Sequence, residues 1–426
     1  MKTVSALCLL DLCLMASTTL YAQRIPAATE LPGNPFFIKH TWVIGGEGNW
    51  DYMVLDPARL QLFVAHGPVV QVVDVESGTV AAKISGMRDA HGIALDETGD
   101  FGYISDGPAA AVKVFDRRTF EVVASLPTGP NPRAIVFEPL TKLLFAISAE
   151  PEPAKPNPAQ PGASRPGNPA VVAPQRSASP RPVPDAETKS TITVIDTQTR
   201  ATLAFILLSG KLGFAQTDGS GAVFINVVDR NQIARLDAQA VAALLQGHDG
   251  ASASLPKNDP VIVDWSASSH SPQSSRGQVR FFSLGPECKE PRALAVDSRH
   301  LRLFAACASM KMAVLNSVTG EPVATLPIGP GADAIGYDPG RGLLYTANGD
   351  GDGSLTVMRQ HVTDTYSVIQ NLPTLQRART LAVNPATGEV YLVTDLLGVD
   401  LTRKGGIGTL KMVPVPGSFQ VLVVGN

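Results

Sequence analysis

"DAHGIALDETGDFGYISDGPAAAVKVFDRRTFEVVASLPTG" runs from Asp89 to Gly129. It holds short apolar runs broken by polar turns at regular places, the pattern of strands joined by tight turns. The question it raises is whether the pattern is local or repeated, because self-similarity at a period of a few tens of residues decides the architecture.

The pattern recurs along the chain. Each copy is an apolar strand ending in Asp-Pro or a similar pair, a turn, and a second apolar strand. The copies are "YMVLDPARLQLFVAH" from Tyr52, "GIALDETGDFGYISD" from Gly92, "AIVFEPLTKLLFAIS" from Ala134, "FAQTDGSGAVFINVV" from Phe214, "ALAVDSRHLRLFAAC" from Ala293, "AIGYDPGRGLLYTAN" from Ala334 and "TLAVNPATGEVYLVT" from Thr380. Their anchors, Asp56, Asp96, Glu138, Asp218, Asp297, Asp338 and Asn384, lie 40, 42, 80, 79, 41 and 46 residues apart. The two doubled spacings are one unit plus an insertion each. Several copies continue into third and fourth strands, as in "AVKVFD" then "EVVASLPTG". Four short strands per ~40 residues is the signature of a propeller blade. The expected fold is therefore all-β, a seven-bladed β-propeller of four-stranded blades. The Gly-His and Trp-Asp marks of WD40 blades are absent.

Ring closure is also legible. The seventh unit has two strands and a third, "SFQVLVVGN", that ends the sequence, while "FFIKHTWVIGG" (Phe36–Gly46) stands unassigned near the start. Placing this N-terminal strand in the C-terminal blade completes the ring.

Composition agrees with such a fold. Gly (38) and Pro (34) are abundant, aromatics make up 6%, and the formal charge is −3. A near-neutral chain gives no reason to expect a polyanion, so nucleic acid is not an expected partner. Lys2 followed by an apolar run and Ala22-Gln23 reads as a secretory signal peptide over residues 1–22, with the propeller over 23–426. The protein is thus expected to be periplasmic or secreted, with no transmembrane segment once the signal is removed. Cleavage would remove Cys8 and Cys13 and leave Cys288 and Cys307. These two lie on either side of a turn centred near Ser298–Arg299, so antiparallel pairing brings them to one end of a blade. A disulfide is expected, worth about 3 kcal/mol in the chain-entropy view.

Residues 150–190 are rich in Pro, Ala and Ser without apolar periodicity, an extended excursion between the second and third strands of the third blade. A second insertion, about 238–277, precedes the outer strand "QVRFFSLG" of the fourth blade. Within it "DAQAVAALLQG" suits a short helix, and Trp265 suits a cap on an adjacent blade.

The chain resembles the YVTN-type, YncE-like bacterial seven-bladed propellers over nearly all of its mature length. The residues that carry the resemblance are "LLYTANG", "VYLVTD", "VATLPIGPGADAIGYDP", "GNWDYMVLDP", "HGIALD", "RARTLAVNP" and "PGSFQVLVVG". The resemblance implies an exported propeller and leaves the chemistry open. Family members often carry acids where this chain has Arg133 and Gly213, a departure that counts against a family-wide cation site.

In a propeller the first strand of each blade lines the channel, so equivalent positions form a ring. Five residues before each anchor stand Asp51, His91, Arg133, Gly213, Arg292, Asp333 and Arg379. Arg133, Arg292 and Arg379 suit a carboxylate or phosphate through their planar donors, with Asp51 and Asp333 orienting the ligand. Mutual pairing among these side chains is the competing expectation.

Other chemistry is thin. There is no CxxC, CxxCH, HExxH, GxSxG or P-loop, and the histidines are scattered. "NGDGDGSLTVMR" (Asn348–Arg359) partly matches a calcium loop through Asn348, Asp350 and Asp352, but Arg359 stands where the bidentate acid would fall. A Gly-rich turn is the plainer reading, with Ca²⁺ as the alternative and no other cofactor expected. Three functions follow. The first is a monomeric binding or scaffold propeller that engages a protein, a polymer or a small anionic ligand at the mouth and loop face. The second is a lactonase-like hydrolase with His91 as base, since related propellers include lactone-opening enzymes that use His, Arg and acids at the mouth. The third is a redox-partner subunit.

Overall fold

The computed structural model describes residues 27–28, 33–46, 48–96, 99–148, 188–248, 260–265, 279–362, 364–400 and 412–426. The expected signal peptide, residues 149–187 with nearly all of the Pro-rich insertion expected over 150–190, and parts of the second insertion lie outside the described residues, whereas Lys189 and Ser190 already belong to a strand.

The repeat folds as seven sheets. Blade one is Trp50–Asp56, Gln61–His66, Val69–Asp74 and Thr79–Ser85. Blade two is Ala90–Leu95, Phe101–Asp106, Ala111–Asp116 and Val122–Pro127. Blade three is Pro132–Glu138, Leu143–Ser148, Lys189–Asp196 and Ala201–Ser209. Blade four is Leu212–Thr217, Ala222–Val227, Gln232–Asp237 and Val279–Ser283. Blade five is Pro291–Asp297, Arg302–Cys307, Lys311–Asn316 and Pro322–Pro327. Blade six is Ala332–Asp338, Leu343–Asn348, Ser354–Gln360 and Tyr366–Pro373. Blade seven is Thr380–Val383, Val390–Thr394, Gln420–Gly425 and, as its outer strand, Phe37–Val43.

The anchor residues explain why the turns recur. A short carboxylate or amide at the end of the first strand accepts the amides of the turn that follows. Asp338 Oδ1 accepts Gly340 N at 2.9 Å and Arg341 N at 3.1 Å. Asp56, Glu138, Asp218, Asp297 and Asn384 make equivalent bonds. Asp56, Glu138, Asp297, Asp338 and Asn384 are buried, and their role is structural.

Packing follows from strand alternation. Successive side chains leave opposite faces of a strand, and a blade sandwiched between neighbours buries both. Phe63 and Ala65 pack toward blade two, whereas Leu62 and Val64 pack toward blade seven. The described core divides into seven apolar clusters, one in each seam between blades. The seam of blades seven and one closes the ring. Within blade seven Phe37–Val43 runs antiparallel to Gln420–Gly425, and the Trp42 and Tyr391 rings lie 5.7 Å apart with planes inclined at 30°.

Cys288 and Cys307 form a disulfide with Cα atoms 5.3 Å apart. It ties the segment entering blade five to the end of that blade's second strand, both buried.

Two features depart from expectation. Blade three has a fifth strand, Val261–Asp264, which runs parallel to Ala201–Ser209 on the blade's outer edge. It comes from the second insertion, which leaves blade four through the expected short helix, Ala238–His248. The added strand covers an edge that would otherwise carry unpaired backbone groups. Trp265 directly after it is 8% exposed and packs into the seam of blades three and four, so it does serve a neighbouring blade. The second departure is a small hairpin, Leu397–Val399 with Met412–Pro414, between the second and third strands of blade seven. Among the described residues no helix is long and apolar enough to cross a membrane.

Candidate functional site

The ring positions gain their orientation from a repeated irregularity. In six blades the pairing of first and second strands shifts where the ring residue stands: between Trp50 and Met53, Ala90 and Ile93, Pro132 and Ala134, Leu212 and Ala215, Pro291 and Ala293, and Ala332 and Ala334. A bulge inserts a residue that the ladder does not hold, which bends the strand and re-aims that side chain. In blade seven Arg379 simply precedes its strand, Thr380–Val383.

A cavity of about 410 Å³ lies on the ring axis. It is lined by Asp51, Arg133, Gly213, Arg292, Asp333 and Arg379, the ring residues of every blade except the second. The three arginines are about half exposed and held loosely. Arg133 reaches Asp51 Oδ2 at 3.3 Å, Arg292 reaches Asp333 Oδ1 at 3.7 Å, and Arg379 Nε reaches Asp333 Oδ2 at 3.5 Å. Arg292 also lies 3.7 Å from Glu290. Exposed pairs of this geometry contribute little, about 0.2–1 kcal/mol each. The mutual pairing expected as the competing reading does occur, yet only the Arg133–Asp51 contact is a hydrogen bond, and all three arginines line the cavity. Burial pushes the Asp333 carboxyl above the usual carboxylate range, Arg379 and Arg292 pull it back in part, and Asp51 adds to the rise.

His91 does not line this cavity. It is 6% exposed, its Nδ1 is 2.8 Å from Asp51 Oδ2, and its Nε2 is 3.6 Å from Asp89 Oδ2. A side chain on Gly107 would come within 2.9 Å of that Nε2, so the ring is packed against the Gly107 backbone. His91 therefore stands behind Asp51 and orients it. A general base must reach its proton, and the cavity wall contributed by blade one is Asp51, not His91.

Sequence reasoning missed the floor. Tyr52 and Phe214 also line the cavity, with ring centroids 5.2 Å apart and planes inclined at 47°. They occupy the position after the ring residue, where the other blades place Gly92, Ala134, Ala293, Ala334 and Thr380. Two large rings among small residues close the channel beneath the mouth, and that contrast was the available signal. Burial, with Asp51 next, raises the Tyr52 phenol, so the hydroxyl stays protonated. Lys211 and Glu290 complete the rim from loops that no repeat register predicts.

The calcium-loop candidates do not converge. Asn348 is fully buried, and its amide donates to Ser354 Oγ at 3.1 Å and Thr356 Oγ1 at 3.0 Å, inside the blade. Asp350 and Asp352 are exposed on the turn. Asp350 lines a smaller cavity of about 170 Å³ beside the mouth with Arg292, Asp333, Arg377 and Arg379. Among the described residues no group of three or more His, Cys, Asp or Glu side chains could hold a metal.

The sequence matches no protein-family profile and no curated protein. Solved structures are similar in shape. The WD40 repeats of RRP9 align at a TM-score of 0.58 with 8% identity, covering 94% of this chain and 99% of that one. The structure of U3-55K aligns at 0.59 with 8% identity, covering 91% and 98%. At that identity the likeness fixes the fold and carries no ligand with it: the chain is a seven-bladed β-propeller.

Proposed function

We propose that this chain is an exported, YVTN-type propeller whose work is binding, with the channel mouth capturing the carboxylate or phosphate of a ligand or partner. The observation that carries this reading is the convergence of Arg133, Arg292 and Arg379 from three blades on one cavity, each held only by contacts of 3.3–3.7 Å. Guanidinium groups arranged this way bind planar anions through paired charge-assisted hydrogen bonds. The Cys288–Cys307 disulfide suits an oxidising compartment and so favours export. Protein partners suit the broad loop face of a propeller, and an acidic side chain is an anion in the same chemical sense. The hydrolase alternative named His91 as its base, and His91 does not line the cavity.

The test is calorimetric titration of the mature protein with acetate, phenylacetate, citrate and inorganic phosphate. At least one is expected to bind, and Arg292→Gln and Arg379→Gln should each weaken it about tenfold, the size of a lost charge-assisted bond. Binding unchanged in both variants, or no heat with any anion, would refute the reading.

A further inference from the structure

The mouth has two unlike halves. Blades five, six, seven and one supply Arg292, Asp333, Arg379 and Asp51. Blades three and four supply Ile147, Leu212, Phe214 and Val228 on the facing side, with Arg133 and Lys211 as the charges among them. Gly213 creates the difference. It is the one ring position without a side chain, and a Cβ there would sit 3.0 Å from Val228 Cγ2. Blade four therefore shows the cavity its valine and its phenylalanine where the other lining blades show a charge.

The charge of the lining is nearly balanced. Arg133, Lys211, Arg292 and Arg379 stand against Asp51, Glu290 and Asp333, an excess of one positive charge. One anionic group is neutralised there. A phosphate monoester or a polyanion would leave negative charge beside Asp51 and Asp333, an unfavourable arrangement in a partly desolvated site. Beneath the arginines the floor is aromatic, the Tyr52–Phe214 pair. Burial keeps the Tyr52 hydroxyl protonated, and its ring, paired with Phe214, stands at the boundary between the two halves. A volume of about 410 Å³ lies near the small end of the ~300–1,000 Å³ range of ligand pockets, which suits a one- or two-ring molecule.

Building on the anion-binding reading above, we propose that the ligand class is an aromatic monocarboxylate. Its carboxylate lies on Arg292 and Arg379, and its ring rests on Tyr52 and Phe214. The guanidinium planes and the ring pair both favour a flat body, since offset or tilted ring contacts add about 0.5–1.5 kcal/mol beyond area burial.

The experiment compares phenylacetate and indole-3-acetate with acetate and inorganic phosphate by calorimetric titration of the mature protein. The aromatic acids are expected to bind at least about tenfold tighter than acetate or phosphate. Phe214→Leu keeps an apolar side chain and should lose about three- to tenfold of that preference. Tyr52→Leu reads the same floor from blade one should the first variant fail to fold. Arg379→Gln should weaken aromatic and simple acids alike. If acetate or phosphate binds as tightly as phenylacetate and Arg379→Gln still weakens it, the anion site stands and the aromatic assignment falls. If no acid gives heat, both fall together.

Discussion

Asp333 controls how available the mouth arginines are, and Asp333→Asn tests this. Its two carboxylate oxygens face Arg292 at 3.7 Å and Arg379 at 3.5 Å. Each pair is about half exposed on the arginine side, so breaking both releases roughly 0.2–1 kcal/mol per pair that an incoming anion no longer has to overcome. A gain of about 1 kcal/mol in total makes anion binding about fivefold tighter at neutral pH. Lowering pH should act on the wild type in the same direction. Burial sets the folded Asp333 pKa above its unfolded value, so the carboxyl takes up its proton earlier in the folded protein as pH falls. Affinity then rises, and folding stability gains, as pH descends through that raised pKa; both are lost again as pH climbs. Benzenesulfonate is the appropriate probe, because it stays ionised while Asp333 titrates. Titration across the acid range should show wild-type affinity rising toward that of Asp333→Asn, with the variant changing less because only Asp51 and Glu290 remain to titrate among the carboxylates lining the cavity. Weaker binding by Asp333→Asn, or parallel pH profiles, would refute the role assigned to Asp333.

Three further outcomes concern the scaffold. Replacing Cys288 and Cys307 by alanine should cost about 3 kcal/mol, read from denaturant midpoints; two free thiols in the native wild type would contradict the disulfide. Arg117, 2% exposed, donates across the seam of blades one and two to Asp56 Oδ2 and, within blade two, to the carbonyls of Asp96 and Gly99. Burial would raise the Asp56 carboxyl, but the Arg117 hydrogen bond and charge, with Arg59, hold it below the usual range. This stabilisation is present above the unfolded pKa and disappears as pH falls through the depressed one. Arg117→Met should therefore destabilise by about 3 kcal/mol at neutral pH and show a smaller acid-side loss; equal losses would contradict the pairing. Trp265→Ala should cost about 3 kcal/mol and speed hydrogen exchange at Val261–Asp264, whereas unchanged exchange would show that the fifth strand holds without it.

The blades were legible because each copy repeats an acid, or in the last copy Asn384, at the same turn, and in most copies that side chain has a local task, accepting turn amides. The closing strand was legible because the seventh copy lacked one. The fifth strand was not. Val261–Asp264 has only four residues of alternating exposure, and its partner strand belongs to another blade. At the mouth, register alone placed six of the seven ring residues on one cavity. His91 escaped because its ring is held by Asp51 and packed on Gly107; the same two-residue gap in blade one leaves Asp51 on the cavity, and sequence does not state which way an unpaired residue turns. Asn348 misled for a related reason. It ends a strand whose side chain faces the blade interior, so a loop spacing that looks right on paper points its first ligand into the sheet.

The central claim is that Arg292 and Arg379 hold an anion, and native mass spectrometry addresses it most directly. The protein and its Arg292→Gln/Arg379→Gln variant would be purified side by side from the cell that makes them. The account predicts an anionic adduct, or an associated partner, on the wild type and its loss from the variant. Identical spectra of bare polypeptide from both, or an adduct retained by the variant, would contradict it.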